Sequence, residues 1–153
     1  MSKLRNPLYL KAIKVLRKHR VRITPQRQII LKYLINHHNH PSVYMIYKAL
    51  KQRFTNLSMA TVYNTLRKLE SIGIIIELPG QNGGVRFDFF GNPHMHAICQ
   101  NCGRIFDVPN VNYSKLEDHI KQLAKKQTGF KVNKVKIEVS GICPSCQKKL
   151  SRH

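Results

Sequence analysis

A chain of 153 residues with 42% hydrophobic content suits one ordinary domain or two small ones, and is too apolar for a disordered tail. Lys and Arg number 27 against seven acids, a formal charge of +20, and fifteen of the basic residues precede the first acid, Glu70. Such self-repulsion adds nothing to a fold, so it points to a polyanionic partner, nucleic acid or an anionic membrane surface. No apolar run is long enough to span a bilayer and the N-terminus lacks the apolar stretch of a signal peptide, so a cytoplasmic location is expected.

From Leu8 to Lys18 the apolar residues Leu8, Ala12, Ile13, Val15 and Leu16 recur among basic ones, which predicts an amphipathic helix with a cationic outer face. Thr24 before Pro25 predicts the start of a second: the hydroxyl caps, and proline at the first helical position loses no hydrogen bond. Ile29, Ile30, Leu31, Tyr33, Leu34 and Ile35 follow, and His37-His38-Asn39-His40-Pro41 ends it. Ser42 is placed to cap a third, short helix holding Val43, Ile46, Tyr47 and Leu50. A fourth runs from about Met59 to Ile72, with Val62, Leu66 and Leu69 inward and Gly73 as its cap.

Two β-rich runs, Ile74 to Leu78 and Val85 to Phe89, flank Pro79-Gly80-Gln81-Asn82-Gly83-Gly84, a hairpin signal. Helices followed by a hairpin make a winged helix, here over residues 1–90. Phe90-Gly91-Asn92-Pro93 punctuates the chain and places a hinge at about 88–93. The second domain, 94–153, reads as short strands, one helix from about Asn112 to Thr128 and a β run from Lys131 to Val139, an α+β protein in all.

In helix-turn-helix modules the second helix of the motif enters the major groove. The fourth helix offers Thr61, Tyr63, Asn64, Arg67 and Lys68, where Asn can pair with adenine, Arg with guanine, and an aromatic ring can pack on a thymine methyl. An ordinary solvated helix face would look similar; the acid-free surroundings favour double-stranded DNA. Arg17, Lys18, Arg20, Arg22 and Arg27 cluster around the start of the second helix and suit phosphates, which position without specifying sequence.

The four cysteines form two C-x-x-C pairs, Cys99/Cys102 and Cys143/Cys146. Four thiolates satisfy zinc without water, the arrangement of a structural site, which would pin the C-terminal segment back onto the strand bearing the nearby histidines. A redox dithiol is the alternative, but neither C-x-x-C reads as opening a helix in a thioredoxin-like setting. His94 and His96 have strand spacing and so face one side. With His40, Asp88 and Asp107 they make a second candidate site, whose three nitrogens and two carboxylates suit manganese or ferrous iron. Taken singly, each is also an ordinary surface imidazole or solvated acid, and His37 and His38 stand beside His40 as alternatives. No Ser/His/Asp or activated Cys arrangement is evident, so an enzyme is not expected. A zinc-stabilised RNA-binding protein would also satisfy the charge and the cysteine pairs.

Arg22-Ile23-Thr24-Pro25-Gln26-Arg27, Ala60-Thr61-Val62-Tyr63-Asn64, Arg86-Phe87-Asp88 and His94-x-His96-Ala97-Ile98-Cys99-x-x-Cys102-Gly103 resemble, in the same order, motifs of the ferric uptake regulator (Fur) superfamily. The resemblance implies a homodimeric winged-helix transcriptional regulator, usually a repressor, with a small α/β dimerisation domain and metal-dependent affinity for palindromic operator DNA. Within the superfamily the chain is most similar to the peroxide-responsive (PerR-type) branch, which has Asp at both carboxylate positions, as Asp88 and Asp107, and Asn where Asn64 stands. That branch implies one structural zinc and one regulatory iron or manganese per subunit. It also implies that ferrous iron reacts with hydrogen peroxide and that the imidazoles corresponding to His40 and His94 are oxidised, whereas manganese holds the DNA-binding form. The neighbouring reading is an iron, manganese or zinc uptake regulator that responds to metal level alone.

Overall fold

In the computed structural model, which describes residues 6–109 and 111–152, every helix of the N-terminal half begins at a side chain that accepts one of its free backbone N–H groups. Asn6 caps α1 (Pro7–Lys18), Thr24 caps α2 (Pro25–Asn36), Ser42 caps α3 (Val43–Lys51) and Ser58 caps α4 (Met59–Ser71). Each cap is worth about 1 kcal/mol.

The same half uses one C-terminal device twice. After α4, Gly73 takes φ +75° while the N–H groups of Gly73 and Ile74 bond back to Glu70 and Leu69. After α1, Arg20 takes φ +55° while the N–H groups of Arg20 and Val21 bond to Arg17 and Leu16. Both are Schellman endings, and only the first has the glycine that the left-handed position prefers.

Residues 1–92 form one unit. Its core gathers Leu16 from α1, Ile30, Leu31 and Leu34 from α2, Ile46 from α3 and Val62, Leu66 and Leu69 from α4 around Ile75 and Phe87 of a hairpin. Burial of each such side chain contributes roughly 1.5–3 kcal/mol. The hairpin pairs β1 (Ile75–Pro79) with β2 (Val85–Phe89) antiparallel, Ile75 opposite Phe89 and Pro79 opposite Val85. A 3₁₀ turn at Gln81–Gly83 closes it. The free side of β2 is used as well: the Phe87 N–H donates to the Pro41 carbonyl at 3.0 Å, tying the loop after α2 to the strand.

Residues 93–153 form the other unit. β3 (Met95–Cys99) lies between β4 (Ile105–Val108), antiparallel to it, and β5 (Glu138–Gly141), parallel to it. α5 (Tyr113–Thr128) starts at the Asn112 cap and ends at Gly129 with φ +73°. Two expectations are corrected here. The β run from Lys131 to Val139 is a strand only over Glu138–Gly141; residues 131–137 hold the β-prone Val132, Val135 and Ile137 but pair with no strand among the described residues, and β-prone side chains without a ladder do not make a strand. The second domain, expected to hold one helix, carries a second of seven residues, α6 (Pro144–Leu150), which starts at Cys143 with proline in its first turn.

The contents of the two cores differ in kind. Among the described residues of the second unit, the buried ones are His96, Cys99, Tyr113, Cys143 and Cys146, with no aliphatic side chain among them. Among the described residues of the whole chain, no helix is long and apolar enough to cross a membrane.

Candidate metal centres and nucleic-acid face

The four sulfurs of Cys99, Cys102, Cys143 and Cys146 lie within 4.8 Å of one another. Cys99 ends β3, a tight turn through Gly103 (φ +67°) carries Cys102 back beside it, and the start of α6 supplies the other two. The Cys102–Cys143 separation is 3.8 Å. A tetrahedral zinc with bonds of about 2.3 Å has sulfur–sulfur edges of about 3.8 Å, so the donor set fits that ion.

The thiols are electrostatically unequal. The backbone N–H of Cys143, 3.3 Å from the Cys99 sulfur, heads the contacts that bring Cys99 down to about 6. Arg104 lowers Cys102 through its side chain, with Nε 3.4 Å from that sulfur and Nη2 3.9 Å from Cys143. Cys146 receives a hydrogen bond from the Asn101 side chain that pulls it down, but burial and the neighbouring thiols outweigh this and push it up to about 11. Sequence reasoning missed two things here. The backbone amides around Cys99 favour its ionised form, although its buried sulfur faces three other sulfurs, as a metal ligand does. The Cys143/Cys146 pair opens α6, a helix not read from the sequence, but β5 and α6 are followed by no further strand among the described residues, so the setting is not the thioredoxin-like βαβ one.

The nitrogen and oxygen candidates fall in both units. In the first, a ring nitrogen of His40 and a carboxylate oxygen of Asp88 lie within 4.8 Å, both residues buried. His40 sits at φ +47°. His37 is placed differently: its ring stacks on Tyr33 at 4.1 Å and its Nδ1 meets the Tyr33 carbonyl; His38 is exposed. In the second unit, His96 stands opposite Asp107 in the β3–β4 register. The Asp107 Oδ1 is 3.3 Å from His94 Nε2 and 3.4 Å from His96 Nε2, and the two rings are 4.4 Å apart. Each half therefore gathers imidazole and carboxylate donors, the chemistry that suits a divalent first-row cation.

The outward face of α4 carries Tyr63, half exposed, with Asn64, Arg67 and Lys68. Two of the residues expected to meet DNA are engaged by neighbours. Arg67 pairs with Glu77 of β1 at 3.2 Å, and the Thr61 hydroxyl shares a 2.9 Å hydrogen bond with the Ser58 cap. Arg27 donates to the carbonyl of exposed Arg22. Residues 1–92 carry 16 Lys or Arg against Glu70, Glu77 and Asp88, so this unit is the more cationic.

The sequence model of the ferric uptake regulator family matches residues 18–140. The "peroxide operon regulator" of Bacillus subtilis is 47% identical over 138 residues, 90% of this chain and 92% of that protein. A solved structure of PerR from Streptococcus pyogenes, described as a basis for peroxide sensing and gene regulation, is 37% identical with a TM-score of 0.53 and coverage of 92% and 93%. The crystal structure of the Campylobacter jejuni peroxide stress regulator is 30% identical with a TM-score of 0.68 and coverage of 88% and 98%.

Proposed function

The chain belongs to the ferric uptake regulator family, and we propose that it is a metal-dependent DNA-binding repressor of peroxide-stress and metal-homeostasis genes, acting as a cytoplasmic homodimer on palindromic operators. What carries this reading is the coexistence of two donor chemistries: an all-thiolate cluster, and separate imidazole–carboxylate groups. The first suits a permanent ion and the second an exchangeable one.

Residues 1–90 act as the winged helix, with α4 as the reading helix and the β1–β2 hairpin as the wing. Tyr63 and Asn64 present an aromatic ring and an amide to base edges; Arg67 can join them once it leaves Glu77. Arg22 and Arg27 hold phosphates, with Thr61 near the backbone at the helix start. Residues 94–153 act as the dimerisation domain, and structural zinc on Cys99, Cys102, Cys143 and Cys146 supplies the cohesion that their sparse apolar core lacks.

His40, Asp88, His94, His96 and Asp107 together hold the regulatory iron or manganese. Because the first two belong to one unit and the rest to the other, one shared ion would join the two domains in the arrangement that fits an operator. Ferrous iron, when bound, would give one electron to hydrogen peroxide, cleaving its O–O bond to hydroxide and leaving an oxidant beside the imidazoles. His40 and His94 are the targets: one peroxide would add one oxygen atom to one of these rings and leave as water, and the oxidised ring, less basic, would hold the ion more weakly. Manganese in the same donors keeps the repressing form.

The test is operator binding by iron-loaded and manganese-loaded protein before and after peroxide, with mass spectrometry of the products. Loss of binding in the iron form alone, with one added oxygen on His40 or His94, supports sensing. Retained binding in both forms leaves a metal-level regulator instead. Preference for a single-stranded RNA over the palindromic duplex would sink the repressor reading itself.

A further inference from the structure

We propose that Arg86 is a positioning residue for the regulatory metal site: from the wing strand it holds His40 in the conformation that carries its imidazole to Asp88.

His40 is held where its backbone would not go unaided. A β-carbon disfavours φ near +50°, and a residue before proline is pushed toward extended conformations; His40 precedes Pro41 and sits at φ +47°. Such a conformation persists only where the surroundings over-determine it. The surroundings are supplied by β2. The Phe87 N–H takes the Pro41 carbonyl at 3.0 Å, and the Arg86 guanidinium reaches the His40 carbonyl at 3.5 Å and the Met45 sulfur at 2.9 Å, through Nη1 in both cases. Arg86 thus bridges the His40 loop to the first turn of α3.

The next residues of the same strand complete the argument. Arg86, Phe87 and Asp88 are consecutive, so the strand that pins the His40 backbone also presents the carboxylate that lies within 4.8 Å of its ring. Two metal donors of the first unit are therefore attached to one rigid ribbon, the wing. A displacement of the wing moves both, and an ion that fixes both fixes the wing. The charge of Arg86 would act in the opposite sense, since a guanidinium near a cation site repels the ion. Positioning and electrostatics therefore predict opposite signs when the residue is neutralised.

The inference rests on His40 being a ligand, as proposed above. The experiment titrates the full-length, zinc-replete protein with manganese, following the free-ion EPR signal, for the unaltered chain, Arg86→Gln, Arg86→Lys and His40→Ala; operator affinity is measured separately at saturating manganese. Losses of outer-shell partners typically weaken metal binding by about 10- to 100-fold. Arg86→Gln is expected to weaken manganese binding about tenfold while operator affinity at saturating manganese is unchanged, and Arg86→Lys, which keeps a donor nitrogen but loses the reach and fixed orientation of the guanidinium, to recover part of the loss. Unchanged or tighter manganese binding in Arg86→Gln overturns the proposal, as does a fall in operator affinity at saturating manganese, which would mark Arg86 as a phosphate contact. If Arg86→Gln fails to fold, Arg86→Lys alone decides: manganese affinity equal to that of the unaltered chain overturns the proposal. If His40→Ala binds manganese unchanged, the site assignment falls and this proposal with it; failure of the Arg86 variants beside a weakened His40→Ala overturns this proposal only.

Discussion

Glu77→Gln should tighten operator binding. Arg67, on the outward face of α4, is paired with Glu77 at 3.2 Å and must leave that carboxylate to reach a base. At this distance the attraction is about 1.3 kcal/mol in water and about 5 kcal/mol at an effective dielectric of about 20. The side chains are 53% and 39% exposed, which places the pair close to the aqueous limit. The entropy of holding two long side chains reduces it further, to about 0.2–1 kcal/mol. Releasing Arg67 should then raise operator affinity by up to about fivefold, since 1.4 kcal/mol is about tenfold. Unfolding free energy should fall by less than about 1 kcal/mol. Fluorescence anisotropy on a labelled operator at two salt concentrations measures the effect, which should shrink at the higher salt. In an Arg67→Ala background the gain should be cut to that of removing one acid from a cationic face. A Glu77→Gln protein that binds more weakly would refute the reasoning, because Glu77 would then be holding Arg67 in its reading pose.

Arg20→Gly should separate folding from DNA binding. Arg20 occupies the left-handed position after α1 that glycine fills after α4, so the change should stabilise by about 0.5–1 kcal/mol in thermal unfolding, net of the entropy glycine gives the unfolded chain. If the basic cluster holds phosphates, the same variant should bind all duplexes more weakly and show a shallower salt slope. Equal salt slopes would remove Arg20 from that cluster. Zinc binding to the metal-free protein should strengthen as pH rises through the neutral range, because protons compete for thiolates. Cys99, at about 6, is already ionised near neutral pH and contributes little, whereas Cys146, at about 11, must surrender nearly a whole proton. Calorimetry in buffers of different ionisation enthalpy should therefore find less than one proton released per cysteine; a full proton from each would show that the thiols are not split in this way.

What could be read from the sequence tracks how local its cause is. Thr24 and Ser42 cap helices that begin one residue later, and Gly73 ends one, because each act involves atoms a few residues apart. The segment 131–137 misled because a strand needs a partner, which β-prone side chains such as Val132, Val135 and Ile137 cannot report. α6 was missed since its cap is a cysteine with no side-chain hydrogen bond to announce it. At the sites, residue type disclosed what a side chain could do and not what already holds it. Arg67 and Thr61 read as free base contacts and are engaged by Glu77 and Ser58; Arg86 and Arg104 lay inside or beside recognised motifs without a stated role and turn out to touch His40 and the thiols.

The second unit inverts the usual order of inference. Hydrophobic periodicity predicts a core where apolar residues are what becomes buried, as they do in α1 to α4. Among the described residues 93–152, the buried side chains are instead three cysteines, a histidine and a tyrosine. Four of those five are candidate metal donors, so ligand spacing carries the folding information that hydrophobic spacing carries elsewhere. A unit built this way gains folding free energy from its ion, and its stability follows the availability of deprotonated thiols. The C-x-x-C spacing was the strongest signal in this half of the sequence for that physical reason: there, the residues that would bind are also the residues that bury.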